Sequence, residues 1–85
     1  MSLEVSTRKA ANIAIVDLSG RLTVGKDSGQ LRETVRELLL NGHKRILLNM
    51  EEVNYVDSSG LAELVSSLTA TAGRGGRLKL LNVHK

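Results

Sequence analysis

Apolar and polar residues alternate over two short stretches near the N-terminus of the chain. Residues Leu3 to Thr7 alternate in this way, and residues Asn12 to Leu18 are rich in β-branched side chains, so both stretches are predicted to be strands. The polar residues between them, Arg8 to Ala11, are predicted to form a turn. Two neighbouring strands with so short a link predict an antiparallel hairpin.

A helical pattern follows a connector that begins at Gly20 and ends at Gly25. The helix is predicted to begin near Asp27 or Ser28, because either side chain can cap the free amides of a first turn. Asn41-Gly42 is predicted to end it, since both residues tolerate the left-handed conformation. The residues of its single apolar face are Leu31, Val35, Leu38 and Leu39.

The second half of the chain repeats the order of strand and helix. Apolar residues at successive positions from Lys44 to Met50 predict a parallel, central strand buried on both faces, and Glu51 to Val56 leads out of it. A second helix is predicted from Asp57-Ser58-Ser59 to the glycine-rich stop at 73–76, and a last strand from Arg77 to His84. The stripe predicted to face the sheet consists of Leu61, Leu64, Val65, Leu68 and Ala72.

The order of elements is therefore β-β-α-β-α-β, which predicts an α/β fold. Repeated strand-helix-strand units imply parallel pairing through right-handed crossovers, while the hairpin adds an antiparallel pair, so the sheet is mixed. Both helices are expected on one face of this sheet. We expect one small domain spanning residues 1–85.

Composition narrows the classes of function. Tyr55 is the single aromatic residue and there is no cysteine, which excludes aromatic stacking surfaces, disulfides and thiolate metal sites. Apolar runs are too short to span a bilayer and no signal peptide is recognised, so a cytoplasmic location is expected. The net charge is +3, but the cationic residues are dispersed along the sequence, with Arg74, Arg77 and Lys79 the nearest to a cluster. Direct nucleic-acid binding is therefore not expected.

Candidate chemistry lies at Asp57-Ser58-Ser59-Gly60, directly after the central strand. Functional groups of open parallel sheets lie beyond the carboxyl ends of the strands, and a helix N-terminus adds free amides and partial positive charge. Asp and Ser are also favoured helix caps. The residues alone leave a plain helix cap and a modification site both open.

A catalytic serine is a third and more specific interpretation of this segment. The segment resembles a G-x-S-x-G nucleophile elbow, but Val56 replaces the first glycine and only His84 could lie at the same sheet edge as a base. A metal site has no support either, because Asp17, Asp57 and Glu51-Glu52 show no ligand spacing. We expect neither an enzyme nor a cofactor.

Three segments resemble the STAS domain of bacterial anti-sigma factor antagonists. They are Ile46–Leu61, which contains Asp57-Ser58-Ser59-Gly60-Leu61, then Gly20-Arg21-Leu22, and Gly75–Leu80. The resemblance covers nearly the whole chain. It implies that Ser58, with Ser59 as the neighbouring alternative, is phosphorylated by a partner that is both anti-sigma factor and serine kinase.

The same resemblance implies a partner-switching cycle. The unphosphorylated protein binds the anti-sigma factor and frees the sigma factor, whereas the phosphorylated protein lets go. The expected partner-binding residues are Thr23, Asp57, Ser58, Ser59, Gly60 and Leu61. A scaffold subunit of a larger sensory assembly, using the same fold without sigma release, is the alternative.

Two features depart from the family pattern. Thr23 stands where many members carry an acidic residue, and the chain stops at Lys85 without the C-terminal helix that usually follows. A missing helix would leave Leu78, Leu80, Leu81 and Val83 uncovered. Self-association through an exposed last strand is therefore expected.

Overall fold

The computed structural model describes residues 3–23 and 29–83, which form four strands and two helices. The strands are β1 (Leu3–Ala10), β2 (Ile13–Leu22), β3 (Arg45–Val56) and β4 (Arg77–Leu81), and the helices are α1 (Gln30–Leu40) and α2 (Ser58–Gly73). The predicted order β-β-α-β-α-β is confirmed.

The strands form one mixed sheet in the order β1-β2-β3-β4. β1 pairs antiparallel with β2, while β2 with β3 and β3 with β4 are parallel, as the hairpin and the two crossovers predict. β4 pairs only with the first half of β3, from Arg45 to Asn49. The second half of β3 runs beside β2 as far as the pair Leu22 and Val56.

Strand burial alternates, which places the aliphatic core between the helices and one face of the sheet. Along β3, Ile46, Leu48 and Met50 are buried whereas Leu47 and Asn49 are half-buried on the opposite face. The prediction that β3 is buried on both faces is therefore wrong. The helices cover a single face, and we call the other one the open face.

α1 buries the predicted stripe, but α2 does not. Leu31, Val35, Leu38 and Leu39 of α1 are buried. On α2 only Leu64 of the predicted stripe is buried, and Leu61, Val65, Leu68 and Ala72 are exposed. The buried face of α2 consists of Gly60, Glu63, Leu64, Ser67 and Thr71. Small residues on this face allow α2 to lie close to α1 and the sheet.

Several element bounds also differ from the prediction. The first strand continues through the predicted polar turn to Ala10, and the bend is at Ala11, whose φ is 56°. The first three residues of the predicted connector, Gly20 to Leu22, belong to β2, and Glu51 to Val56 belongs to β3. α1 begins at Gln30, and the predicted caps Asp27 and Ser28 lie outside the described residues.

Candidate functional site

The turn from β3 into α2 is built by Asp57. Its backbone is extended, with φ −98° and ψ −174°, and its side chain caps the helix by accepting a hydrogen bond from the Gly60 amide at 2.8 Å. The Leu61 amide donates to the Asp57 carbonyl at 2.9 Å, which begins the helical pattern. The carboxylate therefore points into the first turn of α2, and Asp57 is half-buried.

Gly60 lets α2 start directly against the end of β2. A Cβ built on Gly60 would lie 2.0 Å from the Leu22 carbonyl oxygen, far inside contact distance. The same carbonyl accepts a hydrogen bond from the Asp57 amide at 3.3 Å. The glycine thus fixes the position of the serine pair relative to the sheet.

Ser58 and Ser59 occupy the first two positions of α2, and both are exposed. No hydrogen bond holds either hydroxyl within the described part of the chain. An exposed hydroxyl without an internal partner can be reached and modified without disturbing the core. The hydroxyls are therefore available for the chemistry predicted from the sequence.

The remaining predicted contact residues lie beside this pair. Thr23 is half-buried and directly follows Leu22. The Leu22 carbonyl accepts the hydrogen bond from the Asp57 amide. Leu61 is 56 % exposed on the first turn of α2. The end of β2 and the start of α2 thus form one local surface, which we call the switch surface, defined by Thr23 and residues 57–61.

Sequence reasoning missed two features next to the switch surface. Val65 and Leu68 continue the exposed apolar line of Leu61 along α2. At the ends of β2 and β3, the guanidinium of Arg21 lies 4.9 Å from the centre of the Tyr55 ring. The apolar line was visible in the sequence but was assigned to the core, and the stacking pair required the register of β2 against β3.

The alternative prediction of a catalytic serine depends on a residue beyond the described ranges. His84, its only suitable base, lies outside the described residues. Over the described ranges, no group of three or more His, Asp or Glu side chains is placed to hold a metal ion. Within those ranges, neither helix is long and apolar enough to cross a membrane.

The local chemistry suits a reversible change of charge. Free amides and the positive end of the helix dipole face the first turn of α2, so the fold tolerates negative charge there. A phosphate on a serine of this turn would add about −1.5 to −2 charge to the surface at neutral pH. Such a change alters what the surface can bind while the core stays intact.

Topology and site together define a small α/β domain with an exposed serine pair at a strand-to-helix turn. The family model described as "Mlab, STAS domain" matches residues 5–85. The chain therefore belongs to the STAS domain family.

Solved structures share this fold. The anti-sigma factor antagonist SpoIIAA in its unphosphorylated form has a TM-score of 0.78 and 21% identity, covering 96% of this chain and 76% of that chain. Phosphorylated SpoIIAA from Bacillus has a TM-score of 0.76 and 22% identity, covering 95% and 74%. A Thermotoga maritima protein described by its solvers as a candidate anti-sigma factor antagonist has a TM-score of 0.83 and 20% identity, covering 95% and 69%.

The fold also occurs as part of much larger proteins. The murine anion transporter Slc26a9, in its inward-facing state, has a TM-score of 0.74 and 20% identity, covering 92% of this chain but 13% of that chain. No curated protein sequence matches the chain significantly. At these identities the likeness is one of fold.

Proposed function

We propose that this protein is an anti-sigma factor antagonist controlled by phosphorylation of Ser58. The unphosphorylated switch surface binds an anti-sigma factor that is also a serine kinase, and phosphorylation of Ser58 releases it. The observation that carries the proposal is the pair of exposed serine hydroxyls at the first turn of α2, held in place by the Asp57 cap and the Gly60 contact. Ser59 is the alternative acceptor.

Charge supports a switch that leaves the fold intact. The Asp57 carboxylate accepts a hydrogen bond from the Gly60 amide. Other amides of the first turn are free to interact with a phosphate. On the outside, the phosphate and Asp57 together would present a concentrated negative charge. A binding pocket formed around neutral serine would reject that charge because of repulsion and the cost of desolvation.

Exposed apolar side chains support a protein partner. Leu61 and Val65 are 56% and 53% exposed and follow the serine pair along α2. An adjacent run of exposed aliphatic side chains is typical of a surface that another protein covers. In the proposed function this protein binds no cofactor and catalyses no reaction. An anti-sigma factor acts in the cytoplasm, so the proposal includes a cytoplasmic location for this protein.

The proposal is tested with the purified protein, ATP and a candidate anti-sigma factor kinase from the same genome. We expect one phosphate, mapped to Ser58 by mass spectrometry and lost in Ser58→Ala. Thr69→Ala is the matched control, because it removes an exposed hydroxyl from the same helix. Ser58→Asp is expected to weaken binding of the kinase at least about tenfold, through added charge at the contact.

Two outcomes would contradict the proposal. Phosphate absent from both Ser58 and Ser59 would remove the switch. Kinase binding unchanged in Ser58→Asp would show that this turn is not the contact. Circular dichroism of each variant separates loss of binding from loss of fold.

The second candidate is a scaffold subunit of a larger assembly. It is favoured by the occurrence of the same fold in the anion transporter Slc26a9, a much longer chain of which the match covers 13%. A scaffold is expected to bind its neighbour through α2 with equal affinity in the wild type and Ser58→Asp. The affinity ratio of these two proteins therefore separates the candidates.

A further inference from the structure

Glu63 is a charged side chain on the buried face of α2. Only 8% of the residue is exposed, and its Oε1 atom has no hydrogen-bond partner among the residues that the structure describes. Its Oε2 atom lies 3.7 Å from Nη2 of Arg32, which is too long for a hydrogen bond. A buried carboxylate is destabilising unless a cation compensates its charge. The ionised Glu63 therefore depends on one loosely held partner.

Arg32 provides that compensation from the first turn of α1. Its side chain is 56% exposed, although its guanidinium reaches the buried carboxylate of α2. α1 follows β2 and α2 follows β3, and these strands are parallel, so both helices begin at the sheet edge that carries the switch surface. A long, exposed arginine side chain can turn toward another anion, whereas the buried carboxylate cannot follow it. The pair is therefore open to competition from a new negative charge nearby.

The two serines lie on different sides of α2. Ser59 precedes Glu63 by four residues, a spacing that makes the two side chains neighbours on one side of a helix. Ser58 precedes Glu63 by five residues and is turned about 140° around the axis from it, at about 3.6 residues per turn. Leu61 follows Ser58 by three residues, so Ser58 shares the side of the exposed apolar line. Ser59 is thus the serine next to the buried carboxylate.

A phosphate on Ser59 would compete with Glu63 for Arg32. Phosphate forms strong, charge-assisted hydrogen bonds with a guanidinium, and on Ser59 it would be the more accessible of the two anions. One guanidinium would then face about three negative charges, up to about two from the phosphate and one from Glu63. Either Glu63 loses its cation or the two anions repel each other at close range, and both outcomes destabilise the folded state.

A phosphate on Ser58 avoids this competition. It would lie on the solvent side of the first turn, where the free amides and the helix dipole favour negative charge. The pair between Arg32 and Glu63 stays intact, because Ser58 is on another side of the helix. The two serines are therefore alike in exposure and in chemistry, but the fold tolerates a phosphate on Ser58 better than one on Ser59.

We propose that Glu63, through its pair with Arg32, excludes phosphate from Ser59 and directs phosphorylation to Ser58. The inference rests on the proposed function and makes Glu63 a specificity-determining residue of the switch. At either serine the hydroxyl oxygen would form a bond to the γ-phosphorus of ATP, the bond from that phosphorus to ADP would break, and the hydroxyl proton would pass to a base of the kinase. At Ser59 the charge of the incoming phosphoryl group approaches Glu63, which raises the barrier to transfer as well as the free energy of the product.

The first test places phosphoserine at position 58 or 59 during translation, so it requires no kinase. Urea denaturation is expected to give an unfolding equilibrium constant at least about tenfold larger for the Ser59 phosphoprotein than for the Ser58 phosphoprotein. In Glu63→Gln, which keeps the shape of the side chain and removes its charge, the difference is expected to shrink to less than about threefold. Glu63→Met also lacks the charge and is expected to give the same result, which guards against a glutamine that disturbs the packing.

The second test measures where the candidate kinase places phosphate. Mass spectrometry is expected to find at least about tenfold more phosphate on Ser58 than on Ser59 in the wild type, and less than about threefold more in Glu63→Gln. Glu37→Gln is the matched control, because it removes an exposed carboxylate of α1 that forms no ion pair within residues 3–23 and 29–83. The wild-type ratio is expected in this variant.

Two results would overturn the role of Glu63. One is a Ser59 phosphoprotein as stable as the Ser58 phosphoprotein, and the other is a preference for Ser58 that survives unchanged in Glu63→Gln. A wild type that accepts no phosphate from the kinase would instead overturn the proposed function, and the urea comparison would still decide between the two serines.

Discussion

At Gly60 the shape of the switch surface depends on the absence of one carbon atom. A Cβ there would stand 2.0 Å from the backbone oxygen of Leu22, and backbone cannot yield as a flexible side chain can. Gly60→Ala is therefore expected to lower the free energy of unfolding by about 1–3 kcal/mol, from overpacking between β2 and α2. Urea denaturation measures the change.

Gly73→Ala is the matched control for Gly60→Ala. Gly73 is the last residue of the same helix, and a Cβ there would meet nothing within 4 Å. We expect the free energy of unfolding to stay the same or to rise by up to about 1 kcal/mol, since alanine restricts the unfolded chain and favours helix. Equal losses at Gly60 and Gly73 would contradict the close approach.

On the open face, Asp17 has a defined electrostatic role. Asp17 accepts hydrogen bonds from Arg8 Nε at 2.6 Å and from Asn49 Nδ2 at 2.8 Å. These two donors, Arg8 first, hold the pKa of Asp17 below its ordinary value. The lowered pKa means that the folded state favours the ionised carboxylate.

Because of this interaction, part of the free energy of unfolding is lost at acid pH. The contribution of Asp17 is complete above the ordinary carboxyl pKa near 3.9 and is lost as the pH falls through the lower pKa of the folded state. Asp17→Asn is therefore expected to flatten the decline of unfolding free energy below about pH 4. Arg8→Met is expected to flatten it partly, because the Asn49 hydrogen bond remains. A decline as steep as that of the wild type in Asp17→Asn would contradict this role.

Among the elements, α1 and α2 show what a sequence pattern can and cannot specify. α1 has one apolar stripe with charged residues opposite it, so its buried face followed from spacing. α2 carries apolar residues on more than one face and uses Ser67 and Thr71 to pack. Polarity alone assigns these hydroxyls to solvent, whereas the Thr71 hydroxyl donates to the Ser67 carbonyl at 2.8 Å inside the core.

The true face of α2 is tested by two equivalent truncations. Leu64 is 8% exposed and Leu68 is 48% exposed, although both belonged to the predicted stripe. Leu64→Ala is expected to cost about 2–5 kcal/mol of unfolding free energy, because it leaves a cavity. Leu68→Ala is expected to cost less than about 1 kcal/mol. Similar losses in the two variants by urea denaturation would restore the predicted stripe.

For the whole molecule, the order of elements and the direction of every strand pair were predictable. They follow from short links, crossovers and alternating helical and strand periods. The extent of β3 was not predictable, because Glu51, Glu52 and Asn54 interrupt its apolar run. Pairing with β2 as far as Val56 holds that polar segment as strand. Near the serine pair, the start of α2 and its Asp57 cap were predictable, but the contact between Gly60 and Leu22 depends on tertiary structure.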